Sequence, residues 1–134
     1  MELKVYLAGG MRTNWQQKVI DSVTNNERSK TTFFNPRYHG LELPKEYTIW
    51  DLFHIKESHI VFAYMEESNP SGMGLALEIG YAVASGKTVI LVDEKSSKDE
   101  KFSRYFAIVR ESSALVCNSL EEGIMFLNNI INNG

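Results

Sequence analysis

One carboxylate, Glu78, stands in an otherwise apolar stretch, GLALEIGYAVASGK, at residues 74–87. On a helix of about 3.6 residues per turn, Gly74 and Tyr81 share the side of Glu78, and no charged residue follows before Lys87. A helix that is apolar all round is buried on more than one side, and glutamate is almost never fully buried unless it is paired or used. Glu78 is therefore either half of a structural ion pair or a carboxylate kept for chemistry.

Three further polar residues are expected at the same rim of the fold. Tyr6 lies in the first predicted strand, Arg12 in the loop after it, and Asp51 inside the second predicted helix, between Trp50 and Leu52. A guanidinium fork suits phosphate, and the apolar neighbours of the aspartate favour a functional role. Each residue also has an ordinary interpretation, as a core tyrosine, a surface arginine or an exposed helix aspartate.

Strand and helix alternate five times along the chain, and these elements must position the polar residues. The strands are short apolar runs without strict alternation, which is typical of a parallel sheet covered on both faces. We predict one doubly wound α/β domain over residues 1–134, flavodoxin-like or Rossmann-like, with a five-stranded parallel sheet that binds ligands at its carboxyl edge. The predicted strands are residues 3–9, 31–37, 59–65, 88–94 and 113–118, the predicted helices are 14–26, 46–58, 74–86, 104–112 and 119–133, and 94–103 is a predicted loop.

Composition and charge exclude several classes of protein. The 134 residues suit one domain with a real core. A formal net charge of −3 gives no bulk attraction to nucleic acid, and no apolar run is long enough to span a bilayer. The N-terminus has no signal-peptide pattern and the single cysteine, Cys117, permits no intramolecular disulfide, so we expect a cytoplasmic protein.

Several familiar motifs fail. The GGMRTN loop lacks the G-x-G-x-x-G fingerprint, and SGKT follows a helix and precedes a strand, the reverse of a Walker motif. His39, His54 and His59 are scattered, with no HExxH and no nearby cysteine, so we expect no metal site and no cofactor. A phosphoacceptor receiver would need acidic residues after the first strand, where this chain has Gly9 and Gly10.

Four segments match one family in order: VYLAGGMR, NPR, IWDLFHIKESHIVFAY and GMGLALEIGYAVASGKTVILV, over most of residues 3–92. The most specific part is the glycine-led helix with EIGYA and GK, followed at once by an apolar strand. The joint pattern resembles the nucleoside 2-deoxyribosyltransferase family, including its 2′-deoxynucleoside 5′-phosphate N-hydrolase-like members. The resemblance implies either transfer of deoxyribose between bases or hydrolysis of the N-glycosidic bond.

The resemblance also implies catalytic roles for three residues. Glu78 matches the glutamate that attacks the anomeric carbon and holds the sugar as a covalent glycosyl-enzyme, by the logic of retaining glycosidases. Tyr6 matches a tyrosine whose hydroxyl lies against this carboxylate and favours its charged form. Asp51 matches an aspartate that helps to protonate the leaving base, a step that requires a general acid.

Substrate contacts are implied for the loops at this rim. Arg12 falls where the nucleotide-hydrolysing members have an arginine that contacts phosphate. Six residues before the glutamate, transferases have an aspartate and hydrolases a serine, but this chain has Gly72. Base, sugar, phosphorylation state and acceptor therefore stay open. The candidate substrate-binding residues are Gly9, Gly10, Arg12, Asn35, Asn69, Ser71, Gly72 and Gly74, with Arg37 and Tyr38 as alternatives to Asn35 for the base.

The expected partners are few. We expect a nucleoside or nucleotide as ligand, with no nucleic acid polymer and no membrane. The helix of Glu78 has more apolar surface than one sheet face covers, so we expect a homodimer or higher homo-oligomer with sites near the interface, as in the family. The alternatives are a non-catalytic module that binds a nucleotide or nucleotide-derived signal in the same pocket, and an α/β domain in which Glu78 is structural.

Overall fold

Five parallel strands form one sheet in the computed structural model, which describes residues 2–23 and 30–133. Five α-helices and one short 3-10 helix connect the strands within these residues. The strands are β1 (Glu2–Gly9), β2 (Lys30–Phe34), β3 (Ile60–Met65), β4 (Thr88–Asp93) and β5 (Leu115–Cys117), in the spatial order β2-β1-β3-β4-β5. The helices are α1 (Trp15–Ser22), α2 (Pro44–Glu57), α3 (Met73–Ala84), α4 (Glu100–Ser112) and α5 (Leu120–Asn132), with the 3-10 helix at Pro36–Tyr38.

Apolar side chains on both faces of the sheet divide the core in two. Along β1, Val5 and Leu7 pack into the cluster covered by α1 and α5. Tyr6 and Ala8 point the other way, into the cluster covered by α2, α3 and α4, because successive side chains of a strand face opposite sides. β3 is buried along its whole length. The predicted doubly wound α/β fold is confirmed.

Several element boundaries differ from the predictions, most of all those of α1, α4 and β2. The first helix ends at Ser22, because the backbone of Val23 is extended. Residues 100–103 belong to α4 and not to a loop, because Asp99 caps the helix by accepting a hydrogen bond from the Phe102 backbone N–H at 3.0 Å. The second strand ends at Phe34, and the chain turns into the 3-10 helix at Pro36. Residues 24–26 of the first predicted helix lie outside the described residues.

The carboxyl ends of β1 and β3 adjoin the point where the winding of the sheet reverses. β2 lies on one side of β1 and β3 on the other, so the crossovers before and after β2 lead in opposite directions. Open α/β sheets bind ligands at such a switch point. Among the described helices, none combines the length and the apolar character needed to cross a membrane.

Candidate active site

Tyr6 and Glu78 are joined by a hydrogen bond between the sheet and α3. The Tyr6 hydroxyl donates to Oε2 of Glu78 at 2.7 Å, although the two residues are 72 positions apart. Tyr6 is fully buried and Glu78 is partly buried. Within the described residues, Oε1 of Glu78 accepts no hydrogen bond. One carboxylate oxygen is therefore oriented by the tyrosine, and the other has no hydrogen-bond partner among the described residues.

Burial raises the pKa values of Tyr6, Asp51 and Glu78 at this site. Burial raises the pKa of Glu78 to about 7; the hydrogen bond from Tyr6 opposes this rise, and the charge of Asp51 adds to it. Burial also raises the pKa of Asp51, against the hydrogen bonding of Tyr6 and the influence of His39 and His54. Burial and the two carboxylate charges raise the pKa of Tyr6, which keeps its hydroxyl a donor. The titration of Glu78 is therefore coupled to that of Asp51.

This titration couples the stability of the fold to pH. The pKa of Glu78 is raised from 4.5 to about 7, so the folded state binds more protons in this window and the free energy of unfolding falls as pH rises through it. Glu78→Gln keeps an acceptor for Tyr6 but has no charge to desolvate. We expect it to be more stable than the wild type above about pH 8, by up to about 3 kcal/mol, and to differ little below about pH 4.

Thermal unfolding of both proteins across this pH range measures the effect. Glu111→Gln, which removes an exposed glutamate of α4, is the matched control and should leave the pH dependence of stability unchanged. A difference between Glu78→Gln and the wild type that is the same at all pH values would contradict this assignment of the Glu78 pKa.

Asp51 connects the Tyr6–Glu78 pair to an open cavity. Its Oδ1 is buried without a hydrogen-bond partner among the described residues and lies 3.7 Å from Nε2 of His39. The cavity has a volume of about 460 Å³, within the range of small-molecule sites. Its lining residues are Met11, Pro36, Arg37, His39, Gly40, Leu41, Tyr47 and Asp51.

Aromatic rings packed on Trp50 hold this part of α2 in place. Trp50 stacks on His54 with ring centroids 3.8 Å apart. It also meets His39 and Tyr6, with centroids at 4.8 Å and 6.5 Å. His54 Nδ1 donates to the Trp50 carbonyl oxygen at 2.8 Å. Contacts of this kind restrict side-chain motion, so the residue next to Trp50, Asp51, has a well-defined position.

Arg37 holds the loop that carries Arg12. Its Nε donates to Oε1 of Gln16 at 2.8 Å, and its Nη2 donates to the Met11 carbonyl at 2.8 Å and to the Thr13 carbonyl. These carbonyls flank Arg12, whose side chain is exposed and forms no ion pair with the described residues. The loop backbone is therefore fixed, and the Arg12 guanidinium is available to an anion at the rim.

Asn35 and Asn69, two predicted substrate contacts, use their side chains locally. Asn35 is buried, and its Oδ1 accepts a hydrogen bond from the Arg37 backbone N–H at 3.0 Å, which begins the 3-10 helix. Oδ1 of Asn69 accepts from the backbone N–H groups of Ser71 and Gly72, both at 3.2 Å. The structure does not bring Asn35 to the cavity wall, and Ser71 is exposed.

The glycines of the rim have different reasons for their positions. Gly72 precedes α3 with φ 73°, a conformation that favours glycine, and a Cβ there would lie 3.0 Å from the Met65 side chain. The backbone conformation and the close packing therefore account for a glycine at this position. A Cβ at Gly9 would lie 2.7 Å from the Tyr64 carbonyl oxygen. Gly10 adjoins the buried Glu66, and Gly74 faces open space on α3. Gly9 and Gly72 are therefore required by close packing at the rim, whereas nothing around Gly74 requires a glycine.

Sequence reasoning missed most of the cavity wall. His39 and Leu41 come from an irregular segment without periodicity, and Tyr47 lies near the start of α2, where helical spacing marks no role in binding. The sequence suggests His39 only as a possible metal ligand, because no motif marks it for another role. Its proximity to Asp51 has no signature in the sequence. The described residues contain no group of three or more His, Cys, Asp or Glu side chains that could hold a metal ion.

The doubly wound sheet, with a glutamate, a tyrosine and an aspartate grouped beside its switch point, places this chain among small α/β proteins and gives it a candidate acidic site. A family model described as nucleoside 2-deoxyribosyltransferase like matches residues 2–96. The chain belongs to this family, and the resemblance predicted from the sequence is confirmed.

Two solved structures are similar to this chain over nearly their whole lengths. A conserved protein from Enterococcus faecalis V583 is 16% identical, with 93% of this chain and 96% of that chain covered and a TM-score of 0.67. The Clostridium botulinum CMP N-glycosidase BcmB is 21% identical, with 95% and 98% covered and a TM-score of 0.59. At these identities the likeness shows the fold. A search of proteins with curated functions found no match to this sequence.

Proposed function

We propose that this protein cleaves or transfers at the N-glycosidic bond of a nucleoside or nucleoside 5′-monophosphate, with Glu78 as the nucleophile. The observation that carries the proposal is the 2.7 Å hydrogen bond from Tyr6 to Glu78, next to Asp51 and the cavity. Membership of the family supports the reaction class, and one structural neighbour is named for N-glycosidic chemistry on CMP.

In the first half-reaction, Oε1 of Glu78 attacks the anomeric carbon while the bond from that carbon to the base nitrogen breaks. The electron pair of the bond stays with the base, which takes a proton from Asp51. Tyr6 holds Oε2 and keeps the attacking carboxylate in place. The products are a glycosyl ester on Glu78, a neutral base and an ionised Asp51, so the barrier is divided between two steps.

In the second half-reaction, Asp51 acts as the base. It takes a proton from water or from an acceptor base, whose oxygen or nitrogen attacks the anomeric carbon. The ester bond breaks and the Glu78 carboxylate is restored. Attack by water releases the free sugar or its 5′-phosphate, and attack by a base gives a new nucleoside.

The cavity next to Asp51 is the proposed binding place of the base. The acid must lie within hydrogen-bond reach of the leaving nitrogen, and Asp51 is the member of the acidic group that lines the cavity. Leu41 and Tyr47 supply apolar wall for a planar ring. Asn69, Ser71 and the neighbouring glycines would then border the sugar.

A panel of nucleosides and 5′-monophosphates, with and without an acceptor base, tests the proposed activity. Free base is followed by chromatography. Release of base without an acceptor identifies a hydrolase, and exchange only in its presence identifies a transferase. Binding of these compounds without turnover would refute the enzymatic proposal and support a non-catalytic nucleotide-binding module.

Arg12 is the proposed contact for a 5′-phosphate. Its exposed guanidinium projects from a loop that Arg37 fixes on both sides. We expect Arg12→Ala to raise the KM of a 5′-monophosphate by about 10- to 100-fold, the worth of a charge-assisted hydrogen bond, without changing the KM of the matching nucleoside. Steady-state kinetics on the pair, with Arg104→Ala of α4 as control, measure the effect; equal changes for both substrates would contradict it.

We further propose that this protein is a homodimer or higher homo-oligomer. Neighbouring helices α2 and α3 expose several large apolar side chains: Ile49 is 60% exposed, Phe53 57%, Met73 79% and Leu77 62%. Light scattering at micromolar concentration should give at least a dimer, and Leu77→Glu should dissociate it. Met125→Glu, on α5 at the opposite face of the sheet, is the control. A monomeric wild type would refute the proposal.

A further inference from the structure

The geometry of His39 defines which of its ring nitrogens carries the proton. Nδ1 accepts a hydrogen bond from the Leu41 backbone N–H at 2.8 Å. A nitrogen that accepts is unprotonated, so the proton of the neutral ring is on Nε2. Nε2 lies 3.7 Å from Oδ1 of Asp51. His39 therefore presents a donor to the carboxyl group that the proposed reaction uses as an acid.

Oδ1 of Asp51 lacks a hydrogen bond that this donor can supply. Its Oδ1 is buried and has no hydrogen-bond partner among the described residues, which is costly for a carboxyl oxygen. The His39 ring is held edge-on against Trp50, and its side chain is only 11% exposed. Hydrogen bonds of active sites are often long before the substrate binds and tighten in the complex. A small closure would bring Nε2 to Oδ1.

We propose that His39 is a positioning residue for Asp51, a role that rests on the proposed function. As the substrate fills the cavity, Nε2–H donates to Oδ1, and the acidic proton of Asp51 is confined to Oδ2, which faces the leaving base. After the proton has moved to the base, the same N–H stabilises the ionised carboxylate. His39 exchanges no proton itself, because Nδ1 remains the acceptor of the Leu41 N–H.

The direction of the pH effect follows from the groups around Asp51. Tyr6 faces it from β1, Glu78 from α3, His54 from α2 and His39 from the loop. A donor to the ionised form lowers the pKa of a carboxyl group. Loss of the His39 donor should therefore raise the pKa of Asp51 and move the pH–rate profile to higher pH. The hydrogen bond from Tyr6 to Glu78 is unaffected by this change.

Two substitutions separate the N–H group from the shape of the ring. His39→Phe keeps a ring against Trp50 but has no donor, and His39→Gln places an amide N–H near the position of Nε2. We expect His39→Phe to lower kcat about tenfold, with a smaller change in KM and a profile shifted to higher pH. His39→Gln should restore most of kcat and the wild-type profile.

The outcomes distinguish this role from the proposed function. If the wild type turns over no nucleoside or nucleotide, the proposed function fails and the role of His39 fails with it. If the wild type is active and the profile of His39→Phe is unshifted, or His39→Gln is no better than His39→Phe, only the role fails. Ring ¹⁵N chemical shifts of the wild type should show the Nε2–H tautomer; the Nδ1–H tautomer would overturn the inference whatever the kinetics.

Discussion

Glu78→Ala is expected to abolish turnover, with kcat lower by about 10⁴-fold or more. The variant has no oxygen to form the ester with the sugar, and neither Tyr6 nor Asp51 can replace it. Glu78→Gln should be equally inactive although it keeps an acceptor for the Tyr6 hydroxyl, so the two variants together separate nucleophile from structure. Free base released by a substrate found in the panel measures the loss.

The covalent intermediate gives the same prediction a direct readout. Mass spectrometry of acid-quenched wild type should show one added sugar on the peptide that contains Glu78, and Glu78→Gln should show none. Glu111→Ala, which removes an exposed glutamate of α4, should retain full activity and the adduct. Retained activity of Glu78→Ala would defeat the mechanism.

Asp51→Asn is expected to lower kcat by about 10²- to 10⁴-fold, the usual contribution of a general acid. Asparagine keeps the size and packing of the side chain but supplies no acidic proton to the departing base. A purine nucleoside methylated at N7 already carries a positive charge and leaves as a neutral base without a proton. Its cleavage should therefore be much less sensitive to Asp51→Asn than cleavage of the unmethylated nucleoside.

The same substitution should change the pH dependence of the nucleophile. Because the charge of Asp51 raises the pKa of Glu78, Asp51→Asn should lower that pKa and move the acid limb of the pH–rate profile to lower pH. Asp21→Asn, at an exposed position of α1, should change neither limb. Equal losses of kcat on the methylated and unmethylated substrates would show that Asp51 is not the acid.

The sequence by itself determines the parallel sheet and the helix that carries Glu78, because both follow from local patterns of apolar residues. The apolar run of β3 is buried on both faces, and such runs, alternating with helices, dictate a parallel sheet. The EIGYA segment places Glu78 inside an apolar helix, and family resemblance implies the tyrosine of β1 against it. The hydrogen bond between Tyr6 and Glu78 agrees with that expectation. Periodicity and motif are readable because each depends on residues close together in the chain.

The tertiary structure alone decided the cavity and its chemistry. His39 reaches Asp51, and Arg37 reaches the carbonyls beside Arg12, through loops that have no period and no motif. Asn35, a predicted base contact, begins a 3-10 helix by accepting a hydrogen bond from the Arg37 N–H. These contacts form only after the sheet has brought the loops together. Spacing along the chain does not predict them, because the partners are close in space and far apart in sequence.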